Sequence, residues 1–492
     1  MQSLPANIYS VAAVRQIDRI AIDEFGVPGY TLMKRAGVAA VRAARHYYPD
    51  SGRWQVVCGS GNNAGDGFVV ARLAAQEGIV VSVVSLVSTE TLRGDAARAC
   101  EDFIAEGGAV VPWSGELDAQ ADLLVDAILG SGLERDLSGD FAAAVRALNA
   151  HRAPIHAMDI ATGINGDSGQ IMGLAVKAAL TTTFVGLKPG LFLADGPEHS
   201  GVVTFDDLEI DPDCRSAVEP AYRRIDDTLL IDSLPKRARD AHKGDFGHVL
   251  VVGGGPGMSG AARMCAEAAL RCGAGRVSVA THPDHAAMMA AALPEIMYHA
   301  ITTPEQLKDR LEQVDVIAFG PGLGRSEWAK GLYAAVEASS KIAIWDADAL
   351  NLLESAPKSA ENRIITPHPG EAATLLQSSA VAVQKDRSRA CRALQRRYGG
   401  IAVLKGAGTL ISDGGRLLSI CTSGNPGMAA AGMGDVLTGV IAAVAAQGVP
   451  LRDAALVGVE IHARAGDVAA TFGERGMLAS DVIAAIRKIV NP

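Results

Sequence analysis

The chain has few aromatic residues, little charge and no long apolar run. Aromatic side chains make up 4% of the 492 residues and charged side chains 20%, slightly below the usual share in globular chains. The best candidate for a membrane span, residues 436–449, is shorter than the roughly 20 apolar residues that a span requires, and it begins beside Asp435. We therefore expect a buried core helix there and no membrane segment.

Positive charge and paired cysteines are also scarce. Lys and Arg number 45 against 55 Asp and Glu, and the net charge of −10 argues against a nucleic-acid groove or an anionic membrane surface as partner. The seven cysteines are scattered without a CxxC pair, which excludes a disulfide framework and a zinc site. A reducing compartment fits this pattern. The first residues lack a basic flank followed by an apolar core, so we expect no signal peptide and a cytoplasmic location.

Glycine, in contrast, is abundant, with 54 residues against a usual share of about 7%. The hydrophobic content of 49% excludes wholesale disorder. Apolar β-branched runs alternate with Ala-rich helical patterns, which predicts an α/β protein with parallel sheets covered on both faces. Many glycines and few aromatics indicate loops whose backbone comes close to a ligand.

Two series of predicted strands are separated by the acidic, proline-containing stretch 209–227. The strands are predicted at residues 54–59, 80–86, 123–129, 155–160 and 180–185 in the first series, and at 248–254, 277–280, 314–319, 341–345, 363–366 and 401–404 in the second. Helices are predicted within residues 1–48, at 68–78, at 260–272 and from 435 onward. We place one domain at residues 1–215, a linker at 216–226 and a second domain at 227–492.

Polar loops follow three strands of the first series. Residues 59–67, GSGNNAGDG, form a turn whose backbone amides can approach a phosphate, and their side-chain oxygens suit a hard cation or sugar hydroxyls. Asp126 and Asp159 each close a strand and precede another glycine-containing loop. A tight turn without a ligand, with each Asp as a cap or turn former, is the alternative. Three such loops at one sheet edge favour a shared site.

These loops resemble the NAD(P)H-hydrate epimerase domain of the YjeF family. The resembling motifs are LMKRAG, GNNAGDG, DAILGSG, DIATG and FVGLKPG, and they span about residues 10–201. The resemblance implies a Rossmann-like, three-layer parallel-sheet domain that interconverts the R and S hydrates, with Asp159 at the nicotinamide ring as catalytic acid/base. It implies a potassium ion at Asn63, Asp126 and Thr162. The residues that it assigns to the dinucleotide are Asn62, Asn63, Ala64, Gly65, Asp66, Gly130, Ser131, Gly132, Leu133, Glu134, Arg135 and Asp136. Lys34 replaces a Glu of the family, and its role stays open.

In the second half, glycine-rich segments again follow predicted strands. The sharpest is GMGD, residues 432–435, which opens the apolar helix DVLTGVIAAVAAQG. Amides at such a helix start form an anion hole, with Asp435 as a base for phosphoryl transfer. A plain N-terminal cap is the alternative for an isolated GxGD.

This half resembles the ribokinase-like superfamily, and more closely the NAD(P)H-hydrate dehydratase domain that is fused to the epimerase in the same family. The resembling segments include HKGDFGHVLVVGG, GPGLG, DADALNLL, TPHPGE, LKGAGT and GNPGMAAAGMGDVLTG. The resemblance implies a ribokinase-like α/β domain that uses ADP and magnesium, with Asp435 as catalytic base. It assigns Ala261, Gly322, His368 and Asp435 to the hydrated dinucleotide, and Lys405, Gly406, Ala407, Gly408, Thr409 and Gly434 to ADP.

The sequence therefore predicts a bifunctional nicotinamide-nucleotide repair enzyme. It epimerises hydrated NADH or NADPH and dehydrates the S form at the expense of ADP, releasing AMP and phosphate. We expect hydrated NAD(P)H and ADP as small-molecule partners, and a homo-oligomer. One alternative is a ribokinase-like small-molecule kinase. In that case the first half is a dinucleotide-binding or partner-recruiting module.

Overall fold

The computed structural model describes residues 4–491 and divides the chain into two compact units, Met1–Arg223 and Arg224–Pro492. The residues predicted as a linker, 216–226, contain the last residue of a short helix and the whole of a short strand. The two units are described separately below.

The first unit alternates strands with helices. Its strands are β1 (Asn7–Ile8), β2 (Arg53–Cys58), β3 (Val80–Ser85), β4 (Val110–Pro112), β5 (Leu123–Ala127), β6 (Ile155–Met158), β7 (Leu180–Phe184), β8 (Val202–Asp206) and β9 (Tyr222–Arg224). Its helices are α1 (Val11–Asp23), α2 (Gly29–Tyr47), α3 (Asn62–Gln76), α4 (Gly94–Ala105), α5 (Gly139–Ala150), α6 (Gly196–Ser200) and α7 (Pro212–Ser216), with 3₁₀ turns at Thr89–Thr91 and Pro189–Leu191.

Seven of these strands form one parallel sheet in the order β4-β3-β2-β5-β6-β7-β8. The five residues of β5 are all buried, whereas the edge strands β4 and β8 are largely open to solvent, as expected of a sheet covered on both faces. The strand order reverses between β2 and β5. The loops that follow these two strands therefore flank a topological switch point, where open α/β sheets bind ligands. The predicted Rossmann-like domain is confirmed.

The motif GNNAGDG is less of a loop than the sequence indicates. Helix α3 begins at Asn62 instead of at the predicted residue 68, so most of the motif is helical. A Cβ atom on Gly65 would lie 2.5 Å from Cε of Met33, and one on Gly67 would lie 2.4 Å from Cβ of Ala127. These two glycines allow α3 to pack tightly against α2 and β5. Packing alone is enough to require that these two residues have no side chain.

The second unit has the same alternation. Its strands are β10 (His248–Val252), β11 (Arg276–Thr281), β12 (Met297–Ala300), β13 (Val316–Phe319), β14 (Ile342–Trp345), β15 (Arg363–Ile365), β16 (Ile401–Leu404), β17 (Thr409–Ser412) and β18 (Leu418–Cys421). Its helices are α8 (Asp227–Ser233), α9 (Ser259–Arg271), α10 (Pro283–Ala292), α11 (Pro304–Leu311), α12 (Glu327–Glu337), α13 (Asp348–Ser355), α14 (Pro369–Leu375), α15 (Ala380–Lys385), α16 (Arg387–Tyr398), α17 (Met433–Ala446), α18 (Leu451–Ala470) and α19 (Ala479–Ile489), with 3₁₀ turns at Lys243–Phe246 and Pro426–Met428.

The strands of the second unit pair in the order β18-β17-β16-β15-β14-β13-β10-β11-β12. The pairs from β12 to β16 are parallel, and the switch point lies between β10 and β13. The sequence predicted only parallel strands, which is wrong at one end of the sheet. There β16, β17 and β18 form an antiparallel meander, because short turns join them and leave no room for a crossover helix.

Helix α17 is the predicted core helix, and eleven of its residues are buried, from Met433 to Ala445. All seven cysteines are buried free thiols. Among the helices of residues 4–491, none is both long enough and apolar enough to cross a membrane.

Candidate functional site

In the first unit, three strand-end segments meet at Gly130. This residue follows β5, and a Cβ atom built on it would lie 3.3 Å from Oδ1 of Asn63 and 3.6 Å from Oδ2 of Asp159. Asn63 follows β2, and Asp159 follows β6. The structure therefore brings the three predicted motifs together at the carboxyl edge of the sheet, at its switch point.

Asp126 and Thr162 form a hydrogen-bonded pair beneath these segments. Oδ2 of Asp126 accepts from the backbone amide of Thr162 at 2.8 Å, and Oδ1 accepts from the Thr162 hydroxyl at 2.7 Å. Burial raises the pKa of the Asp126 carboxyl to about 6, although the hydrogen bonds from Thr162 oppose this rise. The Nδ2 atom of Asn63 is buried without a hydrogen-bond partner among the described residues. Two of the predicted potassium-site residues thus have unusual polar groups. The Asp126 carboxyl is buried with a raised pKa, and the Asn63 amide nitrogen has no hydrogen-bond partner among the described residues.

Asp159 is held by a buried lysine. Its backbone adopts a φ of 68°, a left-handed conformation that is uncommon for a residue with a side chain. Its Oδ1 atom contacts Nζ of Lys188, which is 1% exposed. The same ammonium donates to Oγ1 of Thr183 and to the carbonyl of Phe184, both at 3.0 Å. All three protons of Lys188 are therefore directed, and the lysine fixes the position of the Asp159 carboxylate.

Two further carboxyls lie in the electrostatic field of this ion pair. Burial raises the pKa of Asp18 to about 6, with Lys188 opposing the rise and Asp159 adding to it. Burial also raises the pKa of Asp66 well above its usual value, and the negative charges of Asp159 and Asp18 add to that rise. Asp18 and Asp66 therefore both lie near the Asp159–Lys188 pair, and the raised pKa values of these two carboxyls favour their protonated forms.

The sequence analysis did not assign Lys188 or Asp18 to the site. Lys188 lies inside the motif FVGLKPG, and a lysine in this otherwise uncharged motif could have indicated a site residue. Asp18 lies on α1, where nothing distinguished it from a solvated helix face. A second residue of α1, Arg15, is also close to the site, because a Cβ atom on Gly132 would lie 3.0 Å from its guanidinium nitrogen.

The residues predicted to hold the dinucleotide fall into two groups. Ala64, Gly65 and Leu133 are buried, so only their backbone can reach a ligand. Asn63 is also buried. The others are exposed or partly exposed: Gly130 and Gly132 offer only backbone, and side chains are available at Asn62, Asp66, Ser131, Glu134, Arg135 and Asp136.

In the second unit, an ion pair joins three strand-end segments. Nζ of Lys405, after β16, donates to Oδ1 of Asp346, after β14, at 2.7 Å. The hydroxyl of Thr438 on α17 donates to Oδ2 of Asp346 at 2.9 Å. Burial opposes the ionisation of Asp346, but Lys405 and the hydroxyls of Thr366 and Thr438 outweigh it, so the pKa lies below its usual value.

Asp435 lies in the first turn of α17, one turn before Thr438, whose hydroxyl donates to Asp346. Helix α17 starts at Gly432, which has a φ of 88° and offers no side-chain cap, so the first amides of the helix stay available. Burial raises the pKa of Asp435 to about 7, and the charge of Asp346 adds to the rise while Lys405 opposes it. A Cβ atom on Gly434 would lie 3.2 Å from Nζ of Lys405, so this glycine leaves the ammonium accessible.

The remaining predicted residues of this half lie on neighbouring loops. Ala261 and Gly322 are brought together, since a Cβ atom on Gly322 would lie 3.1 Å from that of Ala261. His368 caps α14, where its Nδ1 accepts from the amide of Gly370 at 3.0 Å. Glu371 of the same helix lies 3.8 Å from Lys405, so His368 borders the charged cluster.

The predicted ADP loop, Lys405, Gly406, Ala407, Gly408 and Thr409, is supported by an arginine that the sequence analysis missed. Arg387 is 4% exposed, and its guanidinium donates to the carbonyls of Leu404, Lys405 and Gly408 at 3.2–3.4 Å. Its charge lies behind the loop, away from solvent. The loop is therefore held through its carbonyls and through the amide of Lys405, which donates to the carbonyl of Pro367 at 3.0 Å.

Comparison with known proteins assigns each unit to a class. Residues 29–190 match the family model described as YjeF-related protein N-terminus, and residues 249–488 match the model described as NAD(P)H-hydrate dehydratase. A solved ribokinase-like superfamily protein of Enterococcus faecalis is 29% identical, with a TM-score of 0.51, covering 55% of this chain and 95% of that one. The ribokinase-like fold predicted for the second half is confirmed.

Full-length relatives carry both units in one chain. The bifunctional NAD(P)H-hydrate repair enzyme of Coxiella burnetii is 43% identical over 486 residues, 99% of each chain. That of Escherichia coli is 43% identical over 491 residues, which are 100% of this chain and 95% of the relative. This chain belongs to the family of bifunctional NAD(P)H-hydrate repair enzymes. The comparisons give no support to the small-molecule kinase alternative.

Proposed function

We propose that the second unit dehydrates the S hydrate of NADH or NADPH with ADP as phosphoryl donor. The observation that carries this proposal is Asp435, whose buried carboxyl has a pKa near 7 at the open start of α17, beside Lys405. A base that titrates near working pH is suited to take a proton from a hydroxyl. The adjacent amides are suited to receive an anionic phosphoryl group.

The chemistry proceeds in two steps. Asp435 removes the hydroxyl proton of the hydrate, and the oxygen attacks the terminal phosphoryl group of ADP, so that AMP leaves. The C–O bond of the phosphate ester then breaks with assistance from the ring nitrogen lone pair, and inorganic phosphate leaves. Loss of the neighbouring C–H proton restores the double bond of NAD(P)H. Lys405 and the first amides of α17 stabilise the charge on the transferred group.

A magnesium ion, when bound with the nucleotide, would neutralise phosphate charge. Within residues 4–491 no cluster of three or more His, Cys, Asp or Glu side chains forms a dedicated metal site. Magnesium does not need one, since it commonly binds through one or two carboxylates together with substrate phosphates. Glu371, whose carboxylate lies 3.8 Å from Lys405, is the residue that would hold it.

For the first unit we propose epimerisation of the R and S hydrates, with Asp159 as general acid/base. The hydroxyl-bearing carbon is bonded to the ring nitrogen, so its C–O bond can ionise with assistance from the nitrogen. Asp159, fixed by Lys188, would transfer the proton that accompanies loss and return of the hydroxyl. Asp159→Asn should abolish interconversion while the dinucleotide still binds, and an unchanged epimerisation rate would refute the assignment.

Potassium is proposed for the pocket formed by Asn63, Asp126 and Thr162. The fit rests on the buried Asp126 carboxyl. Burial raises its pKa because it disfavours the ionised form, and a bound cation would favour that form. Amide, carboxylate and hydroxyl oxygens are suitable ligands for a hard monovalent ion. In this position the ion would supply positive charge next to the dinucleotide loop, and these three residues would hold it.

One assay tests both activities on the full chain. Hydrated NADH of mixed configuration is given with ADP, and reduced nicotinamide is followed by absorbance together with released inorganic phosphate. We expect complete conversion and one phosphate per NADH. A kinase would instead release a phosphorylated product without restoring NADH absorbance, and an inactive first unit would leave the R form unconverted. A parallel reaction with ATP compares the two phosphoryl donors.

The domain limits, the cytoplasmic location and the homo-oligomer stay predictions.

A further inference from the structure

The segment that leads into the catalytic turn, residues 422–432 between β18 and α17, is anchored to α18. It contains the 3₁₀ turn Pro426–Met428 and the sequence GNPGMAAAG. Its residues are exposed or partly exposed to solvent. We call residues 422–432 the entry segment. Two carboxylates of α18, seven residues apart, accept hydrogen bonds from its first residues.

Asp467 uses both carboxylate oxygens on the entry segment. Its Oδ2 accepts from the backbone amide of Gly424 at 2.9 Å, and its Oδ1 accepts from Nδ2 of Asn425 at 2.9 Å. Oδ1 of Asn425 in turn accepts from the amide of Gly427 at 3.0 Å, which closes the 3₁₀ turn. One charged side chain thereby fixes two successive residues and, through them, the turn. Gly424 has a φ of 104°, a conformation that glycine adopts readily and that residues with a side chain rarely adopt.

Glu460 anchors the base of the same segment. It is 1% exposed, and its Oε1 accepts from the hydroxyl of Ser423 at 2.8 Å and from Nε of Arg464 at 2.6 Å. Its charge is thus satisfied inside α18, independently of the active site. Glu460 therefore supports the fold, whereas Asp467 bonds to Gly424 and Asn425, closer to the 3₁₀ turn.

The packing of α18 is matched to this arrangement. A Cβ atom on Gly466 would lie 2.3 Å from Sδ of Met428, so the missing side chain makes room for the methionine. Beyond Met428 the segment runs to Gly432, where α17 begins without a side-chain cap. Contacts to α18 therefore substitute for a cap in setting where the first amides of α17 and Asp435 lie.

We propose that Asp467 is a positioning residue of the dehydratase site. By holding Gly424 and Asn425 it places the entry segment, and with it the amides at the start of α17, where they can stabilise the transferred phosphoryl group. This inference rests on the function proposed above for the second unit. Asp467 itself does not contact the reacting atoms.

The first test compares Asp467→Ala with Asp453→Ala. Asp453 lies on the same helix and contacts only the exposed Arg452, so its variant is a matched control. We expect Asp467→Ala to lower kcat for dehydration about 10- to 100-fold, because displaced amides at the start of α17 stabilise the transferred phosphoryl group less well. KM for ADP should change less than kcat, because the loop of residues 405–409 has its own support. Rates are measured at a temperature where near-ultraviolet circular dichroism shows the variant to be folded.

The second test exchanges the two partners. In Asp467→Asn alone, Nδ2 of residue 467 faces Nδ2 of Asn425, and the hydrogen bond between these two side chains is lost. In the double variant Asn425→Asp with Asp467→Asn, Nδ2 of residue 467 can donate to residue 425, Oδ1 of residue 467 can accept from Gly424, and residue 425 can accept from Gly427. We expect the double variant to recover most of the kcat that Asp467→Asn loses.

The outcomes separate the two proposals. Wild-type protein that fails to convert the hydrate with ADP overturns the proposed function itself. Active wild type with a folded Asp467→Ala variant at wild-type kcat overturns the positioning role, as does a double variant no better than Asp467→Asn. A lower melting temperature with unchanged kcat in the folded variant would make Asp467 merely structural, and so also overturns the inference.

Discussion

Nζ of Lys405 lies 2.7 Å from Oδ1 of Asp346, and the pair connects the loop after β16 to the end of β14. Asp346 is 1% exposed, so its ionised form depends on this lysine and on the hydroxyl of Thr438. The same ammonium lies beside Gly434 and opposes the raised pKa of Asp435. One lysine therefore supports the fold, presents charge to the nucleotide site and tunes the proposed base.

Removal of Lys405 should destabilise the second unit. In Lys405→Met the Asp346 carboxylate stays buried without its partner, and the expected loss of unfolding free energy is about 3–5 kcal/mol. Chemical denaturation followed by circular dichroism measures it. Lys358→Met is the control, because the Lys358–Glu337 pair is exposed at the lysine end and should contribute less than about 1 kcal/mol. Equal losses in the two variants would contradict this account.

The dehydration rate should depend on pH through Asp435. The proposed base acts only when ionised, and its pKa is about 7, so kcat should fall as the pH decreases below about 7 and level off above it. A pH–rate profile with saturating ADP and hydrate checks this. A midpoint near the ordinary value for an aspartate would show that Asp435 is not the titrating base.

The same carboxyl affects stability with the opposite dependence on pH. Because the folded-state pKa is raised, the folded protein binds the proton more tightly than the unfolded chain, and the resulting stability is lost as the pH rises through about 7. Asp435→Asn cannot ionise, so it should melt several degrees higher than wild type at about pH 8 and nearly equal at about pH 4. Thermal melts across this range measure the difference.

Potassium should stabilise the first unit above about pH 6. Ionisation of Asp126, whose pKa is raised from 3.8 to about 6, costs about 3 kcal/mol of stability as the pH rises, and a bound cation would return part of it. We expect potassium to raise the melting temperature at about pH 8 more than a large organic cation does. Asp126→Asn should lose this response, whereas Asp140→Asn, an exposed residue of α5, should keep it. An unchanged response in Asp126→Asn would place the ion elsewhere.

Gly67 should tolerate no side chain, for reasons of packing. In Gly67→Ala the new Cβ meets Cβ of Ala127 at 2.4 Å, and the overpacking should cost about 1–3 kcal/mol. The matched control is Gly260→Ala on α9, where a Cβ meets nothing within 4 Å and helix propensity favours alanine by about 1 kcal/mol. Denaturant melts compare the two. A Gly67→Ala variant as stable as wild type would contradict this packing account.

Much of the architecture followed from the local pattern. β-branched runs between Ala-rich helices predicted eleven strands close to where they lie, and polar residues at the strand ends predicted the sites, since the carboxyl ends of parallel strands share one edge. The edge strands β4, β8 and β12 were missed because they are short and partly exposed, so they lack the apolar signature of a buried strand.

The sequence by itself determined the alternation of elements, the order of the motifs and the residues at each strand end. Only the tertiary structure decided that Lys188 forms an ion pair with Asp159 and that Asp18 lies close enough to interact with both charges. It also decided that Asp467 accepts a hydrogen bond from the segment before Asp435. These partners are far apart in sequence, and chain folding alone brings them into contact. The raised pKa of Asp435 is likewise a tertiary property, because it arises from burial and from the charge of Asp346, which no local pattern encodes.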